Sequence, residues 1–195
     1  MIQKINYVLQ KIVSLLVGIE MRFKKNLILD ASVKFLKRPS VLIHSNASIN
    51  IAENCTINSS NYGYHLNMHN RVKLYADREN AKIEIGKNSR INGACIHAFS
   101  KIIIGENCLI AANTQIIDAN GHELMMKSPE KRIHSSDKGK EIIIKDNVWI
   151  GANCFILGGT TIGEGTIITA GSIVKGTVPA RCIFGGNPGV VLKQY

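Results

Sequence analysis

Residues 144–174 read IKDNVWIGANCFILGGTTIGEGTIITAGSIV, and an aliphatic residue recurs at every sixth position of this stretch. A helix repeats its face about every 3.6 residues and a simple strand every two, so a period of six indicates short strands separated by regular corners. The same step appears earlier, at residues 51–57, 85–91 and 104–116, with Ile43 as a further early member. Three such hexads make one turn of a triangular coil.

The corners are predicted by the residue three places after a repeat aliphatic residue, which is Asn or Gly in ten hexads. These two residue types adopt positive φ at low cost, as a tight corner requires. The ten are Asn46, Asn54, Asn88, Asn107, Asn113, Asn147, Asn153, Gly159, Gly165 and Gly171. The rule fails after Ile57, Ile91 and Ile116, and residues 118–141 leave the period entirely. We therefore expect an extruded loop at 118–141, because a local break in a strict repeat often marks function.

The net charge of the chain is +10, and residues 1–38 carry eight basic and two acidic side chains. Apolar residues follow helical spacing over residues 2–20, which predicts an amphipathic helix. Two partners for this helix stay open: an anionic membrane surface, or the end of the coil and a neighbouring subunit. Nucleic acid is not expected, because the aromatic interleaving and the modules typical of such binding are absent from the sequence.

Five cysteines without a CxxC pair argue against a disulfide framework or a zinc ribbon, and they favour a reducing compartment. The apolar run at residues 12–19 is too short to span a bilayer. We expect a cytoplasmic protein, with peripheral contact at the inner face of the membrane as an option. The expected organisation is a helix and basic segment (1–38), a β-helix carrying the loop (39–176) and a C-terminal tail packed on it (177–195).

Hexads of the form Ile-Gly-x-Asn, as in IGKNSR, IGENCL and IGANCF, resemble those of the hexapeptide-repeat acyltransferase family. The resemblance covers roughly residues 41–195. Four further segments are similar to members that O-acetylate sugars: IIDANGHE at 116–123, DNVWIGANC at 146–154, TAGSIVKGTVPA at 169–180 and GGNPG at 185–189. The resemblance implies an all-β fold, a left-handed parallel β-helix. It also implies acetyl-CoA as acetyl donor, no metal requirement, and a homotrimer with active sites between subunits.

In this family a histidine on the extruded loop removes the proton of the acceptor hydroxyl, and the matching residue here is His122. The chemistry agrees, since a hydroxyl is a poor nucleophile at neutral pH and a neutral imidazole is a suitable base. Asp118, four residues earlier, is expected to orient the imidazole or contact the sugar. Asn92 and His97 lie about one coil upstream, and we expect them to face the same cleft and bind the acceptor.

The resemblance also places coenzyme A along the outside of the later coils. Trp149 and Ala152 match the contacts to the pantetheine arm, and Ala170 matches the residue at the adenine end. The residues that frequently hold the phosphates in this family are not matched. Lys175 and Lys193 are nearby, and their flexible ammonium groups can reach a phosphate as point charges.

Several alternatives stay open. The acceptor is either a surface polysaccharide or its precursor, of capsule or O-antigen type, or a small molecule such as a drug, serine or a nucleotide-linked amino sugar. A zinc enzyme of the γ-carbonic-anhydrase type has the same fold and needs three converging histidines, for which His97, His122 and His134 are the candidates. A non-catalytic β-helix scaffold is the last alternative, and it leaves the loop without a purpose.

Overall fold

The computed structural model describes the backbone of residues 2–195 and the side chains of residues 8–195. The helix predicted over residues 2–20 is present, and the side chains of Lys4 and Ile5, which belong to that prediction, lie outside the described residues. A short 3-10 helix, Pro129–His134, lies in the loop. The helix and the strands are α1 Ile2–Arg22, β1 Leu27–Leu29, β2 Lys34–Leu36, β3 Ser40–Ile43, β4 Ser48–Ile51, β5 Thr56–Asn58, β6 Lys73–Ala76, β7 Lys82–Ile85, β8 Arg90–Asn92, β9 Cys95–Ala98, β10 Lys101–Ile104, β11 Leu109–Ile110, β12 Gln115–Ile117, β13 Ile142–Ile144, β14 Trp149–Ile150, β15 Phe155–Leu157, β16 Thr161–Ile162, β17 Ile167–Ile168, β18 Ile173–Val174, β19 Thr177–Val178, β20 Cys182–Gly186 and β21 Gly189–Gln194.

The strands form three sheets, and each sheet takes every third strand of the chain. One sheet (sheet A) runs β1-β4-β7-β10-β13-β16-β19, the second (sheet B) runs β2-β5-β8-β11-β14-β17-β20-β21, and the third (sheet C) runs β3-β6-β9-β12-β15-β18. All neighbouring strands are parallel except the last pair, β20 and β21. The three sheets are the faces of a triangular prism, so the predicted left-handed parallel β-helix is confirmed.

The repeat aliphatic residues form the core of the prism. Ile85, Ile104, Ile144 and Ile162 are register partners in successive strands of sheet A, and each is at most 2% exposed. Successive strand side chains point to opposite faces, so every hexad buries the same position and the buried residues stack in layers. Each fully buried side chain of this size contributes about 1.5–3 kcal/mol.

Nine of the ten predicted corners have positive φ, between 55° and 84°. The prediction is wrong at Asn46, because the chain there closes a turn in which the N–H of Ala47 donates to His44 O at 3.0 Å. After Ile91, where the rule fails, Gly93 takes the corner with a φ of 52°. This break therefore shortens one hexad and extrudes no loop.

The coil extends further in both directions than the sequence predicted. β1 pairs with β4 and β2 with β5, so the first coil begins inside the segment 1–38. β19 and β20 continue sheets A and B beyond residue 176, and β21 then folds back on β20. Two insertions leave the coil, at residues 59–72 and 118–141. The second is the predicted extruded loop.

The helix α1 lies at the end of the prism where the first coil begins. Val17 and Met21 are 6% and 3% exposed and belong to the same buried cluster as the coil core. Across residues 2–195, no helix reaches the length and apolar character that crossing a bilayer requires.

Candidate active site

His122 lies on the extruded loop, and its side chain is exposed. Its Nδ1 is 3.1 Å from the backbone oxygen of Ser135. Because a carbonyl oxygen can only accept, this hydrogen bond requires the proton on Nδ1 and leaves the lone pair on Nε2. The loop therefore presents the imidazole in the tautomer whose Nε2 can take a proton from a substrate.

Two side chains hold the backbone on either side of His122. The N–H of Glu123 donates to Ser135 Oγ at 2.9 Å. The N–H groups of Asn120 and Gly139 donate to the carboxylate of Asp137 at 2.8 and 3.1 Å. The hydrogen bond from Asn120, with that from Gly139, holds the pKa of Asp137 below its usual value. The loop is exposed, but hydrogen bonds fix its backbone at Asn120, Glu123 and Gly139.

Asp118 is the buried first residue of the loop, with 1% of its surface exposed. Its carboxylate accepts hydrogen bonds from the backbone N–H groups of Phe99, Ser100 and Lys101 at 2.7, 2.8 and 2.9 Å. Burial raises the pKa of Asp118, while these three N–H groups act in the opposite direction.

The structure corrects the expectation that Asp118 orients the imidazole. The ring of His122 is held by a backbone oxygen, and both oxygens of Asp118 are occupied by the chain between β9 and β10. Asp118 instead anchors the loop where it leaves the prism. The N–H of Lys140 donates to Asp118 O at 2.7 Å, which closes the two ends of the loop against each other.

Arg78 connects the loop to the coil beside it. Its guanidinium donates to Ser136 Oγ and lies 3.9 Å from the ring centroid of Phe99. Ser136 directly follows Ser135, which holds His122. Nothing in the local sequence pattern marks Arg78 as a functional residue, because its contact with Ser136 joins residues 58 positions apart.

His97 belongs to a cluster on the outer face of sheet C. Its ring is stacked on Tyr75 with centroids 4.5 Å apart, and its Nε2 is 3.2 Å from Asp77 Oδ2. Burial acts to raise the pKa of Asp77, but the hydrogen bonds from Tyr75 and His97 outweigh it and the pKa is lowered. Phe99 packs edge-on against His97, so the cluster continues to the ring on which Arg78 lies.

Asn92 does not join this group. It lies on β8 in sheet B, whereas His97 lies on β9 in sheet C. Its Oδ1 accepts from Asn58 Nδ2 at 3.1 Å and its Nδ2 donates to Ile110 O at 3.0 Å. Both ends of the amide are engaged within the coil, so the structure does not form the common cleft expected of Asn92 and His97.

Trp149 is 51% exposed on the outer face of sheet B, between its register partners Leu109 and Ile167. The same row continues to Ile183 and then to Lys193 on β21. Three strand steps of about 4.8 Å separate the indole from that lysine, or about 14 Å in all. The row therefore has a flat apolar centre, with Lys193 at one end and Arg90 beyond Leu109 on the other side.

The other residues expected to contact coenzyme A lie in the same later coils. Ala152 is buried and Ala170 is exposed, and the adjacent Gly171 N–H donates to Ala152 O at 2.8 Å. Lys175 is exposed after β18, at the end of sheet C. Trp149 and these small residues occupy neighbouring coils, while Lys175 and Lys193 lie on different faces.

The cysteines and histidines offer little other chemistry. Cys55, Cys108, Cys154 and Cys182 are buried, and burial raises the pKa of Cys108 to about 11, so its thiol stays protonated. Among the residues that the structure describes, no three His, Cys, Asp or Glu side chains come together as metal ligands. The geometry therefore does not support a zinc site formed by His97, His122 and His134.

Comparison with known proteins agrees with this architecture. The model of the bacterial transferase hexapeptide family (six repeats) matches residues 141–176. The putative lipopolysaccharide biosynthesis O-acetyl transferase WbbJ of Escherichia coli K12 is 30% identical over 162 residues, which are 78% of this chain and 75% of that protein. The polysialic acid O-acetyltransferase of Escherichia coli O1:K1 is 31% identical over 67% of this chain and 43% of its own length.

Solved structures give the same result. The polysialic-acid-specific acetyltransferase NeuO superposes with a TM-score of 0.69 at 27% identity, covering 86% of this chain and 71% of its own. A hexapeptide-repeat acetyltransferase of Vibrio cholerae, solved with acetyl coenzyme A, has a TM-score of 0.53 at 34% identity, covering 57% of this chain and 60% of its own.

The parallel β-helix built from six-residue repeats is the fold of the hexapeptide-repeat transferases. The chain belongs to this family, and within it the chain is an acetyltransferase.

Proposed function

We propose that the protein transfers an acetyl group from acetyl-CoA to a hydroxyl of a surface polysaccharide or its precursor, with His122 as general base. The observation that carries the proposal is the hydrogen bond from Nδ1 of His122 to Ser135 O, which leaves Nε2 as a proton acceptor on an anchored loop. The relatives named for lipopolysaccharide and polysialic acid support a saccharide acceptor. The Vibrio cholerae structure with acetyl coenzyme A supports the donor.

The reaction needs one base and no separate acid. Nε2 of His122 takes the proton of the acceptor hydroxyl while the hydroxyl oxygen attacks the carbonyl carbon of the thioester. The carbon–sulfur bond then breaks, and the imidazolium returns the proton to the sulfur of the departing coenzyme A. The products are an acetyl ester and free coenzyme A, and His122 is again neutral.

The donor lies along the outer face of sheet B in this proposal. The exposed indole of Trp149 supports the pantetheine arm, Ala152 and Ala170 allow the arm to lie close, and Lys175 and Lys193 neutralise phosphate charge.

The active site lies between subunits of a homotrimer in this proposal. The loop carries Leu124, Met126 and Ile133, which are 67%, 79% and 72% exposed. Large apolar side chains so exposed on one loop are typical of a surface that a second copy covers. His122 then meets the donor held on the Trp149 face of a neighbouring copy.

The proposal is tested by incubating the protein with acetyl-CoA and fractionated cell-surface oligosaccharides, following free thiol release and product mass. We expect release that depends on the oligosaccharide and a product heavier by one acetyl group. His122→Ala should lower it at least about a hundredfold, while replacement of His134, an exposed histidine of the same loop, by Ala should not. If acetyl is transferred only to small acceptors, the protein is a small-molecule acetyltransferase. If His122→Ala keeps full activity, His122 is not the general base.

The shared site has its own test. His122→Ala and Trp149→Ala chains, each expected to have strongly reduced activity alone, are unfolded, mixed and refolded together. If each site takes His122 from one copy and Trp149 from its neighbour, mixed trimers contain some intact sites and partial activity returns. No recovery from mixtures shown to contain both chains in one assembly would place both residues of a site in a single copy.

A further inference from the structure

Most of the apolar side chains that the structure describes on α1 are exposed. Val17 and Met21 bury against the first coil, but seven other large apolar residues of the helix are between 45% and 66% exposed. They are Val8, Leu9, Ile12, Val13, Leu15, Leu16 and Ile19. Exposed apolar patches of this kind mark interaction surfaces, because leaving them in water is unfavourable.

The coil does not cover these exposed apolar side chains of α1. A cavity of about 810 Å³ lies between α1 and the first coil, and apolar side chains of both line it, including Leu9 and Val13 from the helix and Phe35 from β2. The helix therefore packs on the coil core through Val17 and Met21, and the cavity separates the turn that carries Leu9 and Val13 from the coil.

Basic side chains lie in the cavity beside the helix and directly after its last turn. Residues 1–38 contribute six of the ten net positive charges. Arg22 is bound to backbone oxygens of Gly18 and Ala31, and Arg38 pairs with Glu20. The remaining lysines of the following segment are not paired with acidic side chains in the described part of the chain. They are Lys24, Lys25, Lys34 and Lys37.

Phe23 lies between the end of α1 and the lysines that follow it, and it is 85% exposed. An exposed aromatic ring followed directly by Lys24 and Lys25 combines an apolar group with cations at the height of lipid headgroups. A second copy of this chain carries the same positive charge on this surface and would repel it. An anionic surface complements it.

We propose that α1 and the lysines around it, which we call the N-terminal surface, dock on an anionic phospholipid bilayer. The apolar side chains enter the boundary between headgroups and acyl chains, and the lysines contact the phosphates. Docking does not depend on acetyl transfer, so it can be tested separately from the proposed function.

This placement would bring the loop close to the membrane. β3 of the first coil and β12, from which the loop departs, are three strand steps apart in sheet C. At about 4.8 Å for each step, the root of the loop lies about 14 Å along the prism from the docked end. A glycan attached to a membrane lipid is the form of the proposed acceptor that this geometry suits.

The full-length protein is mixed with large unilamellar vesicles of phosphatidylcholine, with or without phosphatidylglycerol, and the bound fraction is measured by flotation. We expect binding to the anionic vesicles, at least tenfold weaker binding to neutral ones, and a decline with rising salt. Equal binding to both vesicle types, or none to either, would overturn the proposal.

Two variants and their matched controls locate the surface. Ile12→Asp should reduce binding at least tenfold, whereas Val190→Asp, an exposed valine on β21, should not. Lys25→Glu with Lys37→Glu should also abolish binding, whereas Lys82→Glu with Lys145→Glu changes the net charge equally and should retain most of it. Thermal unfolding of each variant shows that the fold is intact.

Light scattering on the same samples tests whether a second copy of the chain covers the N-terminal surface instead of a membrane. If Ile12→Asp changes the oligomeric state and the wild type does not bind vesicles, α1 forms a contact between subunits and the proposal is wrong. If both lysine variants bind equally, the attraction is only the general charge of the chain and the N-terminal surface is not the docking site.

Discussion

The two insertions of the coil, residues 59–72 and 118–141, differ in how they are held. The first folds back on the prism: Met68 is 6% exposed against Gly93, and Asn61 closes the insertion by bonding both N–H and O of Met68. The second buries Asp118 at its root, and none of the 3-10 helix beyond it is buried. Buried Met68 and the hydrogen bonds of Asn61 fix the first insertion, whereas polar contacts of Asp118 and Arg78 with the neighbouring coil fix the second.

A break in the repeat can therefore produce two different kinds of insertion. Both insertions follow a hexad in which the corner residue is absent, so the local pattern treats them alike. Only the second presents a histidine with one nitrogen held and the other exposed. The comparison predicts that changes in the first insertion alter stability, and that changes in the second alter catalysis.

The largest expected effect is that of His122→Ala. Loss of a general base typically lowers kcat/KM by about 10²- to 10⁴-fold, and the exposed side chain contributes little to folding. Steady-state kinetics with saturating acetyl-CoA measures the loss, and thermal unfolding should be unchanged. His69→Ala, an exposed histidine of the first insertion, is the control and should keep full activity. Equal effects of the two variants would erase the contrast.

Met68→Ala should show the opposite behaviour. Removing a buried methionine side chain costs about 2–5 kcal/mol, since the cavity beside Gly93 cannot collapse fully. Denaturant unfolding measures the loss, and kcat at a temperature where the variant is folded should remain near that of the wild type. A fall in kcat without loss of stability would show that the first insertion also serves catalysis.

Asp118→Asn should lower both stability and activity. The amide offers one acceptor oxygen to the three N–H groups of residues 99–101, so buried donors lose their partner at about 1–3 kcal/mol. Unfolding and kcat measured on one preparation separate the two effects. Asp77→Asn, on the neighbouring coil, should leave the root of the loop intact. If Asp118→Asn changes neither quantity, the carboxylate does not anchor the loop.

Arg78→Lys should affect positioning alone. The lysine keeps the charge but cannot both contact Ser136 and stack on Phe99, so the loop shifts and kcat should fall about tenfold. The KM for acetyl-CoA should stay constant, since no residue of the Trp149 face is involved. Added guanidinium should restore part of the activity of Arg78→Ala. Arg71→Lys, an exposed arginine of the first insertion, is the matched control.

The smallest expected effect is that of acid on the loop. The hydrogen bond from the Asn120 N–H holds the pKa of Asp137 below its ordinary value. The hydrogen bonds of this carboxylate therefore stabilise the loop at neutral pH and are lost as the pH falls through the lowered pKa. The protection of the Asn120 and Gly139 amides, measured against their intrinsic exchange rates, should fall as the pH drops through the lowered pKa, while Ile104 in the core stays protected. In Asp137→Asn these two amides should be less protected than in the wild type at neutral pH, and the difference should disappear below the lowered pKa.

Much of this protein could be predicted from its sequence, because the informative features are local. The period of six and the corner residues act through side-chain alternation and positive φ, which depend on a few neighbouring residues. They predicted the coil, most corners and the extruded loop with His122. Asn46 shows the limit, since a turn closed by a backbone bond replaced the expected corner.

The tertiary structure decided what the local pattern cannot contain. Whether Asp118 faces His122 or the backbone of residues 99–101 depends on how neighbouring coils stack, and the contact of Arg78 with Ser136 joins distant segments. Asn92 and His97, close in sequence, lie on different faces because a corner separates them. The sequence alone determined the repeating prism, since its rules have short range. The contacts that aim the loop are set by packing between coils, and only the folded chain defines them.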